Sequence, residues 1–235
     1  MKAILLAGGY GKRLLPLTLT TPKCLVPICG TPLLDIWFKR LSLAGIESFL
    51  VNTHYLAHKV EQHVLGGAWS DRVTLSHENE LLGTAGTLLA NRAFIGKSPV
   101  MLIHADNLSV FDVKAFIAAH HNRPARCDMT MMLFNTDVPH SCGIVQLDQE
   151  GVVTAFYEKV QNPPSTLANG AVYILEASLV EECFCVTPPI TDFSNEVIPR
   201  RLGRIFTFLN DVYHRDIGNL HALKLANHEY KSVHF

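Results

Sequence analysis

Short apolar runs alternate with amphipathic stretches through the first half of the chain. "AILLA" (3–7), "SFLV" (48–51), "VTLS" (73–76) and "VMLIH" (100–104) predict strands. The stretches between them, about 31–44, 56–65 and 84–94, predict helices. In the first, Leu33, Leu34, Trp37 and Leu41 share one face at helical spacing. Asp112 is placed to cap a further helix running through Ala119. The rhythm then changes. "MTMMLF", "GIVQLD", "VVTAFYE" and "ANGAVYIL" predict strands with short connections, hence antiparallel neighbours, and "GNLHALKLANHEY" predicts a closing helix. The β-α-β-α alternation argues an α/β fold, with a mostly parallel sheet and helices on both sides. With no repeat, low-complexity tract or linker, one continuous domain over 1–235 is expected.

Charge adds little to that picture, and this is informative. Lys plus Arg is 20 and Asp plus Glu is 21, for a net charge of −1. No basic excess advertises nucleic acid and no polybasic segment advertises an anionic membrane, so any anion site must be local. After Lys2 only five apolar residues precede the first glycine, which is not the pattern of a signal peptide. No run approaches the ~18 apolar residues of a membrane span, and a cytoplasmic protein is expected. Six cysteines show no CxxC pair and are read as reduced, buried thiols. His54 and His58 stand four apart but have no partnering ligand cluster, so a metal site there is not expected.

The chemistry begins where the first strand ends. "LAGGYGKRLLPLTLTTPKCLVPI" (6–28) places Gly8, Gly9 and Gly11 beside Lys12 and Arg13, with Lys23 ten residues after Arg13. Glycines let backbone amides approach an anion or a flat base, and Arg13 and Lys23 supply charge. A Walker A loop fails, because Leu6 stands where its first glycine belongs and Arg13 where its Ser or Thr belongs. A dinucleotide fingerprint fails for lack of a third glycine. Pro16, Pro22 and Pro27 stiffen a loop longer than the ~2–6 residues of ordinary βα connections.

That loop resembles the signature of the sugar-1-phosphate nucleotidyltransferases, through Leu-Ala-Gly-Gly-x-Gly-x-Arg, Pro-Leu-Thr and Pro-Lys-x-Leu-x-Pro. The likeness runs over nearly the whole chain. It implies a Rossmann-like mixed sheet flanked by helices, and transfer of a nucleoside monophosphate from a nucleoside triphosphate (NTP) to a sugar 1-phosphate with release of pyrophosphate. It assigns Leu6, Ala7, Gly8, Gly9, Gly11, Lys12, Arg13 and Lys23 to the nucleotide, with Arg13 and Lys23 also catalytic.

The reaction is in-line attack by a phosphate oxygen that is already ionised, its second pKa being ~6. Positioning and charge stabilisation are then the whole task. Asp106 ends the "VMLIHAD" strand, where ligands bind in open α/β sheets. The resemblance makes Asp106 and Asp216 the ligands of Mg²⁺, although Asp216 could also cap the final helix. Ala105 stands where relatives usually have Gly. For the sugar phosphate the resemblance implies Asn107, Gly143, Glu158, Lys159, Asn169 and Gly170, with Lys159 catalytic. An alternating strand puts Glu158 and Lys159 on opposite faces, which a strand-end turn could reconcile.

"HENELLGTAGTLLANR" (77–92) bears on the base. Gly83, Thr84 and Gly86 open a predicted helix with Thr84 as a natural cap. Gly-Thr-Ala-Gly replaces the Gly-Leu-Ala-Gln of thymidylyl and uridylyl relatives and resembles the mannose- and heptose-1-phosphate guanylyltransferases. GTP is therefore favoured. A uridylyl- or thymidylyltransferase, or a choline-phosphate-type cytidylyltransferase, stands as the alternative. No hexapeptide repeat predicts a C-terminal β-helix. The partners expected are an NTP and a sugar 1-phosphate, with monomer and homo-oligomer both open.

Overall fold

The structure is a computed structural model and describes residues 1–233. The chain forms two compact units. The first comprises Met1–Leu81, Ile103–Phe111 and the segment from Val212 onward; the second comprises Leu82–Leu102 and Asp112–Asp211.

In chain order, β1 (Lys2–Leu6) leads into a loop of short 3-10 turns. Then come β2 (Pro27–Ile28), β3 (Thr31–Pro32), α1 (Leu33–Leu43), β4 (Phe49–Thr53), α2 (Ala57–Leu65) and β5 (Val73–His77). Helices α3 (Gly83–Ala90) and α4 (Arg92–Ile95) precede β6 (Val100–His104), β7 (Asn107–Val110) and α5 (Val113–His121). Strands β8 (Met129–Asn135), β9 (Gly143–Leu147), β10 (Val153–Glu158) and β11 (Leu167–Leu175) follow. The described chain closes with α6 (Ala177–Phe184), β12 (Ile205–Leu209), β13 (Tyr213–Asp216) and α7 (Leu220–Glu229).

In the first unit the strand order is β1-β4-β5, all parallel, with Ala3, Phe49 and Val73 in register. Every residue of β4 is buried. This is why the run is continuously apolar rather than alternating, as expected of a central strand covered on both faces. Helix α1 buries Leu33, Leu34, Ile36, Trp37, Phe38 and Leu41. The residues 31–32 that the pattern joined to this helix pair with β2 instead, and Pro32 stands at the helix N-cap.

The same unit holds a separate antiparallel ribbon of β7 and β13. It is fastened on several sides. Trp37 Nε1 donates to Asn107 O at 2.9 Å, and Arg40 Nε donates to Ser109 O at 3.2 Å. Arg215 makes a two-pronged ion pair with Glu229 of α7, at 2.8 and 2.9 Å, and Tyr213 Oη donates to the same carboxylate at 2.7 Å.

In the second unit the order β10-β9-β11 is antiparallel, while β8 lies between β11 (antiparallel) and β12 (parallel). The change of rhythm in the sequence thus marks a real change from parallel to antiparallel pairing. Asp112 caps α5 by accepting from Ala115 N at 2.9 Å, as expected. The helix predicted over 84–94 is broken at Asn91, whose side-chain amide donates to Thr87 O at 2.8 Å. Local side-chain hydrogen bonding of this sort competes with helix continuation. Among the described residues no helix is long and apolar enough to cross a membrane.

Candidate active site

The first unit gathers the loop and both aspartates. Ala7 N, just past the end of β1, donates to Asn52 Oδ1 at 2.7 Å. Asn52 Nδ2 in turn donates to the buried Glu78 at 3.0 Å. Sequence reading missed this brace, although a polar Asn inside an apolar strand was a visible signal. Gly9 is exposed and has no neighbour within 4 Å of an added Cβ. Gly11 has φ +62°, and a Cβ there would lie 2.9 Å from Thr18. Its carbonyl accepts from Leu14 N and from Thr18 Oγ1, each at 2.9 Å. Tyr55 Oη holds Thr18 O at 2.9 Å and Lys59 holds Thr20 O, so α2 and the residues before it pin the long loop. Lys12 points away over the Tyr10 ring, 5.3 Å from its centroid.

Lys23 is buried, and its ammonium donates to Asp106 Oδ2 at 2.7 Å and to Asp216 Oδ1 at 3.3 Å. Arg13 reaches the other oxygen of Asp216, Oδ2, at 3.5 Å. Four residues separated by up to 203 positions thus come together. Gly218 makes this possible: a Cβ there would stand 2.7 Å from Asp216 Oδ2 and 3.0 Å from the Arg13 guanidinium. Asn219, not Asp216, caps α7, accepting from Ala222 N at 2.8 Å. Asp216 is therefore free of the helix-capping role that was its main alternative. Burial alone would raise the Asp106 carboxyl, but Lys23, His104 and hydrogen bonds to the charged form hold it below the ordinary range. Burial pushes the adjacent Cys24 thiol up to about 12, leaving it inert. Asn107 is buried, with its carbonyl held by Trp37.

Two carboxylates bracketing a single cation are a fitting donor set for Mg²⁺. That ion takes one or two carboxylates and completes its shell with water and substrate phosphate. Among the described residues no group of three or more His, Cys, Asp or Glu side chains forms a self-sufficient metal cage. His54 instead bonds Glu78 O at 2.8 Å and Tyr10 Oη at 3.0 Å.

The second unit holds the remaining residues in two groups. In the first, Gly83 has φ +79°, and a Cβ would collide with the Thr191 carbonyl. Thr84 does not cap α3. It lies inside the helix and its Oγ1 accepts from Phe193 N at 2.8 Å, while Thr191 O takes the Ala85 and Gly86 amides at 2.9 and 3.3 Å. A neighbouring carbonyl thus does the capping work that the hydroxyl was expected to do.

In the second group, Gly143 pairs with Glu158 across β9 and β10, and a Cβ at Gly143 would lie 2.7 Å from Glu158 Oε2. Lys159 has φ +50°, so the alternation of the strand ends there and its ammonium turns back to Glu158 Oε1 at 2.9 Å. This left-handed residue brings together two side chains that strand geometry would have separated. Asn169 donates to Tyr173 Oη at 2.7 Å and accepts from Ala171 N at 2.9 Å, and Gly170 is buried within β11.

Parallel strands ending in a glycine loop, with cations and carboxylates facing each other beyond it, define an α/β protein with its charged groups gathered at its strand ends. The family model described as Nucleotidyl transferase matches residues 2–233, and the chain belongs to that family. It is 31% identical over 223 residues to a mannose-1-phosphate guanylyltransferase of Mycobacterium tuberculosis, covering 92% of this chain and 60% of the relative. It is 32% identical over 202 residues to a mannose-1-phosphate guanylyltransferase catalytic subunit beta of Drosophila pseudoobscura, covering 84% and 53%. The chain thus spans little more than half the length of the curated relatives it matches. Its fold is that of a solved candidate glucose-1-phosphate thymidylyltransferase from Bacillus anthracis, with a TM-score of 0.88 at 22% identity over 100% and 97% of the two chains.

Proposed function

We propose that this chain transfers a guanylyl group from GTP to mannose 1-phosphate or heptose 1-phosphate, forming the nucleotide sugar and releasing pyrophosphate. The observation that carries the reaction class is the convergence of Arg13, Lys23, Asp106 and Asp216. Two relatives named for guanylyl transfer, and Gly-Thr-Ala-Gly at 83–86, favour the base.

In this reading the sugar's phosphate oxygen attacks the α-phosphorus. The new P–O bond forms as the bond to the β-phosphate bridging oxygen breaks, and pyrophosphate leaves with that electron pair. No proton has to move, because the nucleophile is ionised near neutrality. The amides of 8–11 cradle the triphosphate, and Arg13 and Lys23 offset charge on the leaving pyrophosphate. Asp106 and Asp216 hold Mg²⁺, which screens the repulsion between the two phosphates when bound. In the second unit Lys159 takes the sugar's phosphate and Glu158 its hydroxyls, with Gly143, Asn169 and Gly170 lining the sugar. All six cysteines are free, which accords with a reducing, cytoplasmic setting.

The test pairs each NTP with a panel of sugar 1-phosphates and choline phosphate in the presence of Mg²⁺, reading pyrophosphate. Turnover with GTP and mannose or heptose 1-phosphate is expected. Turnover only with UTP, dTTP or CTP would move the assignment to another base, and silence across the panel would sink the reaction class.

A further inference from the structure

We propose that Lys23 is the resident counter-ion of the paired carboxylates, so that a divalent cation enters there only as a nucleoside triphosphate draws the Lys23 ammonium away. This deepens the function proposed above and rests on Asp106 and Asp216 being the metal ligands.

The Lys23 ammonium sits at the one point shared by Asp106 Oδ2 and Asp216 Oδ1, at 2.7 and 3.3 Å. A cation that is to use those two oxygens together has to displace it. Arg13 occupies the opposite oxygen of Asp216, so two positive charges already balance the two negative ones. A free divalent ion then meets little net attraction and must displace a cation that is well seated. The Lys23 side chain is only 9% exposed, whereas Asp106 and Asp216 are 39% and 52% exposed. The ammonium is thus well covered, while the two carboxylates it holds are partly exposed.

The backbone at Lys23 is held. It begins a 3-10 turn after Pro22, Val26 N donates to Lys23 O at 3.2 Å, and Cys24 beside it is buried. Only the flexible four-carbon stem can move, and it carries a compact charge with three donors. A polyanionic triphosphate gives that charge an alternative partner. Nucleotide and metal binding are then positively coupled: each favours the state in which Lys23 has left the carboxylates.

The probe is Mn²⁺, titrated into nucleotide-free protein and followed by the paramagnetic resonance of the free ion. Lys23→Gln and Lys23→Met should each bind Mn²⁺ about tenfold or more tightly than the unaltered protein. Unchanged or weaker affinity overturns the proposal. Adding Asp106→Asn to Lys23→Gln should abolish the gain. Unchanged affinity in Lys23→Gln, with loss on Asp106→Asn, sinks the counter-ion role and spares the aspartate pair; a gain that survives Asp106→Asn sinks the pair itself, and the proposal with it. Should neither lysine variant fold, ¹⁵N resonances of lysine ammonium groups in the unaltered protein decide. The carboxylate-bound signal, recognised by its loss in Asp106→Asn, should stay put with Mg²⁺ alone and shift with Mg²⁺ plus GTP. A shift with Mg²⁺ alone overturns the proposal.

Discussion

Asp216 pairs with Asn107 across the β7–β13 ribbon, which sets it beside Asp106. The ribbon zips the chain just after one carboxylate against the chain just before the other, so their separation of 110 positions costs no precision. Ser109 Oγ and His214 Nδ1, 2.6 Å apart, lock its middle. The loop contributes the cations, but the ribbon makes them meet a pair rather than a single acid.

Asp106→Asn and Asp216→Asn should each lower turnover by about 10³-fold or more, since each removes a charge aimed at the reacting phosphates. Circular dichroism should stay close to the parent's, while the melting profile of Asp106→Asn shifts down, because that carboxylate is the 2.7 Å partner of the buried Lys23 ammonium. Steady-state pyrophosphate release measures the first effect. A variant retaining a tenth of parent activity would remove that aspartate from the chemistry.

Asn52→Leu should act through the loop. The substitution strips Ala7 N of a 2.7 Å buried acceptor and takes one hydrogen bond from Glu78. Leaving such groups underbonded costs about 1–3 kcal/mol. Urea denaturation should report that loss, and the KM for nucleotide should rise because the amides of 8–11 are no longer braced. A stability loss with unaltered KM would make Asn52 a core residue only.

The strand-and-helix rhythm was legible because central strands and amphipathic helices impose different periods on apolar residues. Arg13, Lys23 and Asp106 were legible as chemistry because they crowd one loop and one strand end. Asp216 was not, on composition alone, because a carboxylate before a helix looks like a cap until Asn219 is seen to do that job at 2.8 Å. Thr84 misled for the converse reason: a hydroxyl at a helix start suggests a cap, yet the carbonyl of Thr191, about a hundred residues on, takes the amides. Lys159 shows the limit of periodicity. One residue at φ +50° reverses the face that alternation assigns, and nothing in "FYEKV" announces it.

Acid should destabilise the protein earlier than carboxylate titration alone would. Burial, helped by Arg123, pushes His120 down to about 4, and burial pushes His214 down to about 3. Both folded values lie below the ~6.5 of an unfolded histidine, so the unfolded chain takes up protons first. The associated stability is complete above that value and declines as pH falls toward 4, by up to about 1.4 kcal/mol per pH unit for each group. Urea midpoints at pH 7, 6 and 5 should fall steadily. His120→Gln, which keeps partners for Thr130 and Glu176, should flatten the profile; an equally steep profile would clear His120 of the effect.

Glu229 tests whether the ribbon's attachment matters to the reaction. Its carboxylate holds Arg215 by two prongs and Tyr213 by a third bond, so α7 fixes the face of β13 opposite to His214 and Asp216. Glu229→Gln keeps the shape but weakens a charge-assisted, bidentate pair, at a cost of about 1–2 kcal/mol at a half-buried site. A loosened β13 lets Asp216 wander, and a displacement of about 1 Å can cost 10²-fold in rate. The Glu229 carboxylate bonds Tyr213 and Arg215 of β13, so kcat should fall several-fold while the KM for nucleotide holds. Glu229→Asp, which retains the charge, should recover part of the loss. Equal kcat in parent and Glu229→Gln would confine Glu229 to stability and leave the positioning of Asp216 to β7 and Gly218.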